Sequence, residues 1–173
     1  MTDSGGNESR GTAGGGTVHQ AKVVTVSDGV MAGTREDRSG EALAAILGDA
    51  GWEVVSRSVV ADGVVSVAGE LARVCASFAG LVVTTGGTGF APRDQTPEGT
   101  REVIEREAPG LAEAMRQVNP LGRLSRAIAG IKGQTIVLNT PGSPKGAAEC
   151  LEAVLDILPH ALDLLADVPT SHP

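Results

Sequence analysis

Three short runs rich in β-branched residues, Lys22–Ser27, Glu53–Val60 and Leu81–Thr85, are separated by segments whose apolar residues recur at helical spacing. This alternation constrains the fold more than any other feature of the chain. Between the first two runs, Leu43, Ile46, Leu47 and Ala50 fall on one face of a helix that starts at Ser39 and closes at Gly51. Between the second and third, Val67, Leu71, Val74 and Phe78 mark another helix. Strands and helices in this order predict an α/β fold, a mostly parallel central sheet with helices on both faces. Such sheets collect ligands beyond the carboxyl ends of their strands. The loops at those ends carry Ser27-Asp28, Asp62 and a glycine-rich segment, so separate pieces of sequence converge on one edge.

The glycine-rich segment carries the most chemistry. Leu81–Thr85 runs into Gly86-Gly87-Thr88-Gly89, followed by Pro92-Arg93-Asp94-Gln95-Thr96-Pro97-Glu98. Glycines let the backbone adopt positive φ and bring N–H groups close to an anion. Asp94 supplies a hard oxygen donor where the magnesium of a nucleotide would sit. Thr96 reads as an N-cap, with Pro97 at the first helical position and Glu98 in the first turn, which aims a helix N-terminus at the same loop. A tight strand-to-helix turn would also use these glycines, but it needs neither the Arg-Asp pair nor the Thr-Pro-Glu cap. The spacing is not that of a P-loop or of a dinucleotide fold.

Further along, a helix is expected through Val103 and Ile104, and Pro109-Gly110 opens another with Leu111, Met115 and Val118 on one face. Asn119–Gly122 breaks it. Ala127–Ile131 and Gln134–Asn139 flank Lys132-Gly133 as a hairpin or tight link. Thr140–Pro144 forms a second strand-to-helix loop, and Pro159 should kink or split the last helix, which carries Leu151 to Leu165.

At 173 residues the chain predicts a single domain over residues 20–168. Residues 1–19, rich in Gly, Ser, Thr and Asn, read as a flexible tail without the basic start and apolar run of a signal peptide. No segment is long and apolar enough to span a bilayer. Cys75 and Cys150 sit among apolar residues and read as reduced, buried thiols of a cytoplasmic protein. The scattered His19, His160 and His172 form no zinc constellation. A net charge of −7 and an aromatic complement of two Phe and one Trp argue against nucleic acid as a partner. Any anion must then be caught locally, and Arg93, Arg123, Arg126, Lys132 and Lys145 are the cations near turns.

Several separated segments together resemble the molybdopterin adenylyltransferases, the Mog group of the MoaB/Mog family, which is related to the gephyrin G domain. They are Val26-Ser27-Asp28, Asp37-Arg38-Ser39-Gly40, Thr84–Gly89, Pro92–Glu98, Pro109-Gly110-Leu111, Leu124-Ser125-Arg126-Ala127, Leu138–Pro144 and Glu149–Ala153. The resemblance covers about residues 20–166. It implies a three-layer α/β domain that assembles as a homotrimer. The implied reaction is magnesium-dependent transfer of AMP from ATP to the terminal phosphate of molybdopterin, with release of pyrophosphate and possible hand-over to a molybdenum insertase. The two aspartates on which the family relies map onto Asp62 and Asp94, expected to act in catalysis and to hold Mg²⁺. Ser27, Asp28, Gly86, Gly87, Thr88 and Gly89 are expected on the nucleotide side. Ser125, Arg126, Pro141, Gly142 and Ser143 are expected on the pterin side, helped by the N-terminus of the last helix.

Plainer roles exist for several of these residues. Asp62 precedes Gly63 as a turn aspartate would, Asp28 suits an Asx turn, and Ser143 suits an N-cap. Three other functions compete: the insertase that shares this fold, whose glycine loop typically continues Val-Ser; a MoaB-type paralogue; and a silent pterin-binding scaffold. Thr88-Gly89 and the two aspartates favour adenylyl transfer.

Overall fold

The computed structural model describes residues 18–167. The expected tail therefore lies, over residues 1–17, outside the described residues, as does Val168 at the other boundary. The sheet has six strands in the order β2-β1-β3-β6-β5-β4: β1 (Gln20–Val26), β2 (Glu53–Val60), β3 (Gly80–Thr85), β4 (Arg106–Glu107), β5 (Ala129–Lys132) and β6 (Thr135–Thr140). The first three strands and β6 run parallel, β5 runs antiparallel to β6, and β4 pairs antiparallel with β5 and so returns to the common direction. β3 and β6 are buried along their whole length, which explains why Leu81–Val83 and Ile136–Leu138 are unbroken apolar runs.

Successive strand residues face opposite layers. Val23, Leu81, Val83 and Leu138 point into a core with Leu43, Leu47, Leu151 and Leu158. Those leucines come from α2 (Arg38–Asp49), α6 (Pro144–Glu152) and α7 (Leu158–Leu165), and α5 (Pro109–Gln117) adds Met115 to the same side. Val24, Val82 and Val137 point the other way, against Val67, Leu71 and Val74 of α3 (Val64–Cys75), beside which lies α4 (Thr96–Arg101). The result is the three-layer α/β architecture expected from the sequence.

Register levels the strand ends. Val26 pairs with Val60, Thr25 with Thr85, and Thr85 with Thr140. The loops leaving β1, β2, β3 and β6 therefore start from one plane.

Some local expectations are corrected. The loop after β1 contains a single helical turn, α1 (Asp28–Met31), capped by Ser27, whose hydroxyl accepts from Val30 N. α3 stops at Cys75, because Ser77 takes a positive φ of 50°; Phe78 lies beyond it. α4 ends at Arg101, so Val103 and Ile104 follow the helix and lead to the edge strand β4, too short to show a period in sequence. Thr96 is not the N-cap: it is the first residue of α4, and Gln95 precedes it without a side-chain cap. The chain divides between α6 and α7, with Pro159 in the first turn of α7, the split its ring predicts. The face of α5 that carries Met115, 2% exposed, packs into the core, as its apolar spacing predicts.

Candidate functional site

The levelled strand ends open onto a cleft of about 1030 Å³. Its floor is the glycine loop. Gly86 and Gly87 have φ of 103° and 63°, and a Cβ on Gly86 would strike the Val26 carbonyl of the neighbouring strand. Glycine is thus required for the chain to leave β3 beside β1. The buried Thr96 hydroxyl donates to Gly86 O at 2.9 Å, and Thr96 N donates to Gly87 O at 3.0 Å, so the start of α4 clamps the loop from below.

Asp62 and Asp94 both line this cleft. Asp62 Oδ2 accepts from Asp28 N at 2.8 Å, and its Oδ1 faces Gly87, lying 3.3 Å from where a Cβ on that glycine would stand. Asp94 closes a turn, accepting from Ala91 N at 3.0 Å through Oδ2 and donating from its own N to Ala91 O at 2.9 Å. The same Oδ2 would lie 2.8 Å from a Cβ on Gly89. The two carboxylates thus flank the glycine loop from different connections. Among the described residues no group of three or more His, Cys, Asp or Glu gathers around a metal position. Two carboxylates are nonetheless the donor set Mg²⁺ takes when phosphate oxygens and water complete its shell.

The structure brings Ser27, Asp62, Gly86, Gly87, Thr88, Gly89, Asp94, Ser125, Pro141, Gly142 and Ser143 to the cleft wall. Ser143 also caps α6, its Oγ accepting from Gly146 N at 3.2 Å. Two expected site residues are not on that wall. Arg126 lies behind the glycine loop, where its guanidinium donates to Gly89 O at 2.7 Å and also to Asp94 O and the Glu98 carboxylate. Burial raises the Glu98 carboxyl pKa, but the Arg126 hydrogen bond, a backbone hydrogen bond and the Arg126 and Arg101 charges together leave it below its ordinary value. Asp28 is held by Arg93, and that hydrogen-bonded guanidinium keeps its carboxyl below the usual range.

The cleft has a wall that sequence reasoning passed over. Thr34, Arg35, Glu36, Arg38 and Ser39 face the glycine loop from the connection between α1 and the start of α2. Among the described residues Arg35 and Arg38 are the cationic side chains that line the cleft, and Arg38 pairs with Glu36 at 2.9 Å. The Asp37–Gly40 segment was the available signal, yet its neighbours in an irregular loop follow no period. Beneath the floor, buried Asn139 donates to the hydroxyls of Thr84 at 3.0 Å and Thr100 at 2.9 Å, joining β3, β6 and α4.

Residues 22–160 match the family described as "Probable molybdopterin binding domain". A molybdopterin adenylyltransferase of Helicobacter pylori is 38% identical over 156 residues, covering 86% of this chain and 88% of the relative. Among solved structures, the molybdopterin biosynthesis enzyme MoaB from Thermus thermophilus superposes with a TM-score of 0.82 at 44% identity, over 89% of this chain and 100% of that one. The molybdopterin biosynthesis Mog protein from Mycobacterium ulcerans does so with a TM-score of 0.80 at 35% identity, over 88% and 99%.

Proposed function

This chain belongs to the molybdopterin-binding domain family, and on that premise we propose that it is a molybdopterin adenylyltransferase of molybdenum cofactor biosynthesis. It transfers AMP from ATP to the terminal phosphate of molybdopterin. The observation that carries this reading is the convergence of the glycine loop with Asp62 and Asp94 on one cleft, supported by the relatives named adenylyltransferase.

In the reaction, a pterin phosphate oxygen forms a bond to the α-phosphorus of ATP while the bond from that phosphorus to the bridging oxygen breaks, and pyrophosphate leaves with the electron pair. The attacking oxygen is already anionic, so the site has to align two polyanions and offset their charge more than remove a proton. The N–H groups of Gly87, Thr88 and Gly89 serve as donors to nucleotide phosphate, whereas Gly86 N is spent on Thr140 O at 3.1 Å and contributes the turn rather than a donor. Ser125 and the Pro141-Gly142-Ser143 turn, before the N-terminus of α6, serve the pterin side. Mg²⁺, held by Asp62 and Asp94, supplies neutralising charge to the phosphates when bound. Arg35 and Arg38 add positive charge from the opposite wall.

The homotrimer, the hand-over of product to an insertase and a cytoplasmic location belong to the same proposal. Val118, Leu121 and Leu124, exposed at 44%, 72% and 55%, offer apolar surface for the assembly, and Leu121 and Leu124 also line the cleft. Among the described residues no helix is long and apolar enough to cross a membrane. A second reading, a MoaB-type paralogue, is favoured by the 44% identity to a protein of that name.

The test is pyrophosphate release from ATP and Mg²⁺ with and without molybdopterin, for the parent and for Asp94→Asn. Release that needs the pterin and falls by orders of magnitude in the variant supports the proposal. Near-normal turnover in Asp94→Asn removes Asp94 from the mechanism, and pterin binding without release replaces the enzyme with a carrier.

A further inference from the structure

We propose that Arg93 and Asp28 form a latch that sets the separation of Asp62 and Asp94, and that both are positioning residues rather than nucleotide contacts. Its consequence for turnover rests on the adenylyl-transfer reading; its geometry does not.

Arg93 grips the Asp28 carboxylate with two nitrogens, Nε to Oδ2 at 2.6 Å and Nη2 to Oδ1 at 2.9 Å. The same Nη2 donates to Asp62 O at 2.8 Å. Asp28 and Asp62 meanwhile cap each other's backbone, Asp28 N on Asp62 Oδ2 at 2.8 Å and Asp62 N on Asp28 Oδ1 at 3.1 Å. One guanidinium thus ties the connections after β1, β2 and β3 together.

This arrangement has a directional consequence. With Oδ2 of Asp62 spent on Asp28 N, Oδ1 is the oxygen turned toward Gly87 and the cleft. Arg93 is also the residue before Asp94, inside the turn that Asp94 closes on Ala91. Moving Arg93 therefore moves both carboxylates relative to each other. Neither Arg93 nor Asp28 lines the cleft, and their side chains are 63% and 47% exposed. An ion pair so exposed adds little stability. A planar fork that meets a carboxylate on two points and a carbonyl on a third gives orientation instead. Asp28 is accounted for by this latch, in place of the Asx turn or the nucleotide contact that its sequence position suggested.

The test uses Arg93→Ala, Arg93→Lys, Asp28→Asn and the Arg93→Ala/Asp28→Asn double variant in the full-length chain. Residue-resolved amide hydrogen exchange is the readout independent of turnover. The latch predicts that the Asp28 and Asp62 amides exchange at least about 10-fold faster in Arg93→Ala, while Val24 and Val83 in the sheet keep their protection. In steady state kcat falls about 10-fold or more with the KM for molybdopterin nearly unchanged, and the Mg²⁺ concentration giving half-maximal rate rises. The double variant is no worse than the more impaired single variant. Arg93→Lys, which keeps charge without the fork, recovers little. Unchanged exchange at Asp28 and Asp62, additive losses in the double variant, full rescue by lysine, or an effect confined to KM would each overturn the latch. A parent protein without pterin-dependent pyrophosphate release would defeat the proposed function instead, and the exchange data would still decide the latch.

Discussion

The Thr96 hydroxyl donates to the Gly86 carbonyl at 2.9 Å, joining the first residue of α4 to the first glycine of the loop that precedes it. Both groups are buried. Thr96→Val keeps the shape and removes the donor, leaving Gly86 O without that partner, which costs about 1–3 kcal/mol of stability. Urea unfolding should show that loss. Pyrophosphate release should fall more than the fraction of folded protein does, because the loop loses its clamp. Unaltered kinetics in a destabilised variant would confine Thr96 to the core.

Arg126 offers a sharper separation of roles. Its guanidinium supports Gly89, Asp94 and Glu98 from behind the cleft. Arg126→Met should therefore lower kcat by about 10-fold or more through a loosened loop while molybdopterin still binds. Equilibrium binding beside turnover checks this. Loss of pterin affinity with an unchanged rate constant would return Arg126 to the substrate-contact role that the family resemblance assigned.

Asn139 satisfies two hydroxyls through Nδ2, and its Oδ1 accepts from Ile128 N at 3.3 Å. Asn139→Leu strips all three groups of a partner at a position with 0% exposure, for an expected loss of about 2–4 kcal/mol. Denaturant titration measures it. A neutral result would show that Thr84 and Thr100 re-pair locally.

Burial pushes the Cys75 and Cys150 thiols up to about 11. Both should be protonated at pH 8 and react with a thiol reagent about 100-fold or more slowly than the same cysteines in denaturant. Timed alkylation with mass spectrometry reads this directly. The linkage has a definite sign. A folded-state pKa above the unfolded value means that the unfolded chain releases those protons first, so this contribution is intact below about pH 9 and fades as pH rises toward 11. Cys75→Ala/Cys150→Ala should flatten that alkaline decline; a slope equal to the parent's would assign it to other groups.

Much of the architecture was legible because its causes are local. β-Branched runs between amphipathic segments specify parallel strands and covering helices, and the hairpin around Lys132-Gly133 and the proline split of the last helix follow from residues close in sequence. Short or weakly periodic pieces were not legible. β4 has two residues, α1 is one turn, and α3 ends at a serine with positive φ that no pattern announces.

By itself, the sequence determined the α/β class, the strand ends on which ligand loops lie, and the glycine, aspartate and serine positions that gather at one cleft, since these depend on propensity, period and chain order. Tertiary structure alone decided which way the polar side chains turn. Arg126 points behind the loop, Asp28 turns to Arg93, Thr96 bonds Gly86 instead of capping its helix, and Arg35 and Arg38 arrive on the opposite wall. Chain order places each residue on a loop, but the Arg93 and Arg126 guanidiniums are oriented by partners 28 to 65 residues away, which become neighbours only when the sheet sets its register.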